Sequence, residues 1–296
     1  MTIKNYIYGV YEEFKEYVDN NDGLCLLRDM TFEGGHVPDY SDVHVQQYYL
    51  LRFAFAYAFE YKKMYARLLE NVGTFNGSVK VCSLGCGAMI DYWALTEILS
   101  DKGLGKTVVD YTGIDVIDWN YKFEARERDG VAFKHGNAKD RLSGADALDY
   151  DVYIFPKSIS EFSNDDFSDM INNIARKNSK DKFYVLISLR AEENNQNSDM
   201  ERSRQIIDTL CANGYHTTAD PKMRWSFIEK SSGIKRLDRT FDYPDEAKEL
   251  LCNLTNNCGN KDCASNMCES TLKRSPILTA NNIYYQVMEF DREVSE

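Results

Sequence analysis

"VKVCSLGCGAMIDYWAL" runs from Val79 to Leu95, and its reading decides the fold. An apolar run ends at Leu84, Gly85 and Gly87 flank Cys86, and a helical pattern opens near Asp91. A strand that turns into a helix through two glycines lets its backbone approach a ligand closely, because no Cβ stands in the way. N–H groups at the helix start favour negative charge or lone pairs there. A dinucleotide site asks for a third glycine, so that the helix packs tightly under a pyrophosphate. Met89 or Ile90 occupies that region. A bulkier side chain disfavours pyrophosphate and tolerates a ligand without phosphates.

Downstream, short apolar runs alternate with helical patterns. "VKVCSL" leads to the helix "DYWALTEILSDKG", and "TVVDYTGID" to a helix near "WNYKFEARERDG". "VAFKHG" and "YDVYIFP" come next, then the helix "NDDFSDMINNIARKN". "KFYVLISL" precedes the helix "SDMERSRQIIDTLCANG", where Ser198 and Glu201 read as a capping box. This alternation predicts a doubly wound α/β fold, a mostly parallel seven-stranded sheet with helices on both faces. Right-handed crossovers put the loops after the strands on one edge, where such sheets bind ligands. The last two strands, "KMRWSFIEK" and "NIYYQVMEF", have no standard crossover between them and predict an antiparallel end to the sheet.

Upstream, "KNYIYGVYEEFKEYV" and the long run from Asp42 to Gly73 read as two helices. The second is hydrophobic nearly all round and is expected to lie between layers. The organisation expected is a helical cap over 1–75 and an α/β domain over 76–296, with a cysteine-rich insertion at about 240–280.

Three loops carry chemistry-bearing residues in order. Asp115 ends the second strand, where an acid can accept both hydroxyls of a ribose or simply cap the next helix. Asn137 comes after the third strand, placed to meet an adenine edge through its amide. The segment "FPKSISEF" leaves the fourth strand beside them.

On these residues the chain resembles the class I S-adenosylmethionine-dependent methyltransferases over roughly Val79 to Phe290. The resemblance implies that Gly85, Cys86 and Gly87 contact the methionine and ribose of S-adenosylmethionine. It implies that Asp115 and Val116 hold the ribose side, and that Asn137, Ala138 and Pro156 line the rest of the cofactor site. Arg52, in the helix before the first strand, is a candidate for the methionine carboxylate; an ion pair with Glu60 is the competing reading. The departures are Met89 for the third glycine, Leu84 for the acid before the first, and Gly136-Asn137-Ala138 for Gly-Asp-Ala.

Methyl transfer requires a nucleophile in line with the S–CH3 bond, and a base where that nucleophile is a hydroxyl or amine. Lys157, Ser158 and Glu161 are the candidates on the fourth-strand loop, where no Asn-Pro-Pro-Tyr-type sequence appears. Arg190 leaves the fifth strand toward the same edge, with a polar run after it that could cover a substrate. A silent binding relative is the alternative to an enzyme. A nicotinamide-dependent oxidoreductase is disfavoured by Met89 and by the lack of a Tyr-x-x-x-Lys pair after the fourth strand.

Cys252, Cys258, Cys263 and Cys268 read as C-x5-C-x4-C-x4-C, a spacing that could enclose a structural zinc or leave free thiols in a loop. The remaining cysteines sit in apolar patterns, and no secretory signal opens the chain, so a disulfide framework is not expected.

The 296 residues are 28% charged and 43% hydrophobic, ordinary for a soluble globular protein, and the expected address is the cytoplasm without membrane association. A net charge of −12 argues against a broad nucleic-acid footprint, so a small molecule or a protein is the expected acceptor, with RNA behind. The basic run Lys230–Arg239 reads as a solvated loop.

Overall fold

The computed structural model describes residues 1–20, 24–30, 38–190, 193–220, 225–226, 235–258, 272, 275–280 and 283–292. Cys263, Cys268 and half of the Lys230–Arg239 run, residues 230–234, lie outside them; the described half forms a short strand and the start of a helix instead of a loop.

Five strands run parallel: β1 (Ser78–Leu84), β2 (Val108–Asp115), β3 (Gly130–His135), β4 (Val152–Phe155) and β5 (Lys182–Leu189). Two short strands, β6 (Tyr215–His216) and β7 (Trp225–Ser226), come after them in the chain. A two-stranded piece, β8 (Lys235–Arg236) with β9 (Thr279–Ala280), stands apart, and β10 (Tyr284–Arg292) closes the main sheet. The order is β3-β2-β1-β4-β5-β10-β6, with β7 also paired to β10. β10 lies antiparallel to β5. At its other side β6 meets Asp291 and Arg292 while β7 meets Tyr284 and Tyr285, so one edge position is filled by two short pieces. The expected doubly wound sheet with an antiparallel end is present. The unexpected part is the split of its edge strand.

The helices are α1 (Ile3–Asn20), α2 (Val43–Val72), α3 (Ile90–Asp101), α4 (Ala138–Ser143), α5 (Asn164–Lys177), α6 (Glu193–Ala212), α7 (Asp238–Phe241), α8 (Asp245–Cys252) and α9 (Leu254–Asn257). None is long and apolar enough to cross a membrane among the described residues. In α5, apolar Phe167, Met170, Ile171 and Ile174 recur at helical spacing and are buried, and Ser163 caps the first turn by accepting from the Asp166 N–H at 3.1 Å.

Two expected helix features are corrected. No helix forms at 117–129. Arg126 and Asp129 close a local turn there, with Nε to Oδ2 at 2.6 Å, and Tyr92 Oη donates to the same carboxylate at 2.7 Å. α6 begins at Glu193, so Ser198 and Glu201 are interior and form no capping box. Asp199 is drawn instead to Arg190.

The chain divides into two compact units. The first holds 1–59, 117–124 and 234–280; the second holds 60–116, 125–233 and 281–296. Aromatic contacts explain why distant segments join the first. Tyr6 stacks on Phe123 with centroids 4.1 Å apart, and Phe55 meets the edges of Phe241 and Tyr243. Tyr243 Oη donates to the Leu51 carbonyl at 2.8 Å. The first unit therefore takes 1–59 of the helical segment 1–75 and adds two later segments, and α2 contributes residues to both units. The second unit contains the sheet and an apolar core spanning β1, β4, β5, α5, α6 and β10.

Candidate active site

Parallel pairing sets the ends of β1 and β2 side by side, with Leu84 opposite Ile114, and Asp115 opposite His135 of β3. Beyond Leu84 the backbone turns through Gly85 (φ 72°), Gly87 (φ 53°) and Met89 (φ 60°) before α3 begins. Glycine is required at 85 for space as well as conformation, because a Cβ there would collide with the Ser158 side chain. Met89 adopts a left-handed conformation that glycine takes more easily, and its side chain is buried.

The turn is fastened to β2. The Gly85 and Cys86 N–H groups donate to the Ile114 carbonyl at 2.8 and 3.2 Å, and the Gly87 N–H donates to Asp115 Oδ2 at 2.8 Å. The bend and the carboxylate expected to act together therefore meet directly. Val116, next to Asp115, is an exposed apolar residue at 60% accessibility. Cys86 turns inward: a Cβ on Gly113 would come within 2.7 Å of its sulfur, and burial pushes its thiol well up.

Asn137 differs from its expected role. Its Oδ1 accepts from the Lys139 N–H at 2.9 Å as the cap of α4, and its Nδ2 donates to Asp166 at 3.3 Å. The amide that was to read an adenine edge is engaged in starting a helix. Ala138 and Pro156 are buried beside β3 and β4.

After β4, the three catalytic candidates separate. Lys157 sits at φ 65°, and its Nζ donates to Glu60 Oε1 at 2.8 Å and to the Leu189 carbonyl. Ser188 Oγ donates to the same Glu60 oxygen at 2.6 Å. Glu60, expected as a partner for Arg52, thus forms its ion pair with Lys157. Ser158 is buried, and its hydroxyl donates to the Leu84 carbonyl, tying the β4 exit to the β1 exit. Glu161 alone has no hydrogen bond or ion pair on its carboxylate among the described residues. It is open to solvent yet surrounded by protein. That enclosure, followed in weight by the Asp115 charge and opposed by Arg190, pushes its carboxyl up to about 7.

Arg190 is held by Asp199, which is 1% exposed, through Nη2 to Oδ1 at 2.7 Å and the backbone N–H to Oδ2 at 2.9 Å. Arg52 belongs to the first unit, its guanidinium 4.9 Å from the Phe53 ring centre. Cys252 is exposed and Cys258 half-buried, and no group of metal-ligating side chains occurs among the described residues.

No family model and no curated protein matches the chain. Solved structures do. The plantazolicin methyltransferase BpumL in complex with SAH matches at 14% identity over 96% of this chain and 99% of that one, with a TM-score of 0.43. A SAM-dependent methyltransferase from Archaeoglobus fulgidus matches at 12% identity over 78% and 94%, with a TM-score of 0.39. Human N-acetylserotonin methyltransferase in complex with SAM matches at 14% identity over 73% and 64%, with a TM-score of 0.43. Likeness of this degree carries no functional argument, and function has to come from the site.

Sequence reasoning missed Glu60, Asp91 and Asp199 as organisers of this edge. Asp91 carried one visible signal, a carboxylate in the first turn of a helix whose neighbours Ile90, Tyr92, Trp93, Ala94 and Leu95 are all apolar and buried.

Proposed function

We propose that the chain is an S-adenosylmethionine-dependent methyltransferase whose acceptor is a small molecule or a protein. The observation that carries this reading is the meeting of the glycine turn at 85–87 with the Asp115 carboxylate at adjacent strand ends. The residues present suit a nucleoside without phosphates: Asp115 for the ribose diol, Val116 for the base and the turn for the amino-acid arm. When bound, S-adenosylmethionine supplies a methyl group already activated by its sulfonium. The chain's own work is to hold the acceptor in line and to take a proton from it. Glu161 is the group available for that proton, since Lys157 and Ser158 are engaged in holding the β4 exit.

A base must be ionised to act, so transfer falls as pH drops through about 7, the value at which Glu161 takes up its proton. Purified protein with methyl-labelled S-adenosylmethionine and cell extract tests this. Wild type labels an acceptor with that pH dependence, while Glu161→Gln lowers the rate by about 10²–10⁴-fold and leaves cofactor binding intact. A Glu161→Gln variant as active as wild type, or a rate flat across pH 6–8, contradicts the role of Glu161. Absence of any transfer alongside cofactor binding favours the silent binder.

A further inference from the structure

The proposed function leaves Asp91 unused, and Asp91 is an expensive residue to keep. It stands in the first turn of α3, close enough to Cys86 of the glycine turn to raise that thiol, and it is fully buried. Tyr111 Oη donates to its two oxygens at 2.9 and 3.1 Å, and the Ser83 hydroxyl and the N–H groups of residues 91 and 92 at the helix start also favour its charged form. No lysine, arginine or histidine pairs with it among the described residues. Burying a carboxylate without a cation is costly, and costs of that kind gather at functional sites.

A second observation points the same way. Phosphates bind a glycine turn through free backbone N–H groups and the positive end of the following helix. In this chain the N–H groups of residues 85, 86 and 87 already donate to Ile114 and Asp115. The helix start already holds an anion, the Asp91 carboxylate. Both features that would attract a pyrophosphate are satisfied from inside the protein.

We propose that Asp91 is a specificity-determining residue: its carboxylate occupies the anion-attracting start of α3 and turns away nucleotides that carry phosphates, reserving the site for phosphate-free nucleosides. The proposal rests on the cofactor site described above. Two unit charges about 8 Å apart at an effective dielectric near 20 repel enough to change affinity by roughly 30-fold.

Calorimetric titrations of wild type and Asp91→Asn with S-adenosylhomocysteine, ADP and NAD test it. Asn keeps the shape and the acceptor for Tyr111 while removing the charge. The expected result is S-adenosylhomocysteine affinity within about threefold of wild type, together with at least a tenfold gain for ADP and NAD. Equal weakness of ADP and NAD in both proteins overturns the proposal. Asp91→Ser, smaller and still polar, gives the same comparison if the Asn variant does not fold. Failure of wild type to bind S-adenosylhomocysteine counts against the functional reading, whereas the ADP comparison still decides the role of Asp91.

Discussion

Burial pushes the Asp91 carboxyl up to about 6, partly offset by the Ser83 and Tyr111 hydroxyls and the helix start. The folded state therefore holds this proton more tightly than the unfolded chain does. Stability contributed by the protonated form is complete below about pH 4 and is lost as pH rises toward 6, after which the penalty is constant. It amounts to about 3 kcal/mol at pH 8. Chemical denaturation of wild type and Asp91→Asn should give nearly equal stability at pH 4 and a more stable variant at pH 8. A gap that does not change with pH would place the Asp91 charge in a wetter setting than its burial implies. At this scale the sequence was readable where backbone conformation decides. Gly85 and Gly87 marked a turn, and parallel strands carried Asp115 to it. Side-chain partners were less readable, because Asn137 and Ser158 bond to groups chosen by tertiary contact, such as Asp166 and Leu84.

Among elements, the exits of β4 and β5 and the middle of α2 are joined by one buried charge network. Glu60 has 7% and Lys157 18% of its side chain exposed, and Ser188 adds a hydroxyl to the same Glu60 oxygen. Removing one member leaves the other charge uncompensated, a loss of about 3–5 kcal/mol for Glu60→Ala. The double variant Glu60→Ala/Lys157→Gly should be less destabilised than Glu60→Ala alone. It removes the orphaned ammonium and supplies a residue at ease with φ 65°. Additive losses measured by urea denaturation would show that the pair is not coupled. The regular alternation of strand and helix was visible in the chain because its apolar periods are local. The false helix at 117–129 had the right composition, but Trp119, Tyr121 and Phe123 belong to the first unit, and Arg126 with Asp129 favours a turn. The early start of α6 reflects Asp199 reaching back to Arg190, a contact that no local pattern announces.

For the molecule as a whole, the account comes down to whether adjacent strand ends hold a phosphate-free nucleoside. The acidic balance of −12 argues against a broad nucleic-acid surface, and the sheet order sets Leu84, Asp115 and Phe155 at neighbouring strand ends. Neither names the ligand. Two parts were expected from the sequence, but not that segments 117–124 and 234–280 join the N-terminal helices through aromatic packing far along the chain. The most direct test is titration calorimetry of S-adenosylhomocysteine into wild type and Asp115→Ala. Saturable one-to-one binding by wild type, weakened at least tenfold in the variant as two charge-assisted hydrogen bonds are lost, is the predicted result. Equal affinity in both proteins, or no heat from wild type, would contradict the placement of the ribose at Asp115 and the function built on it.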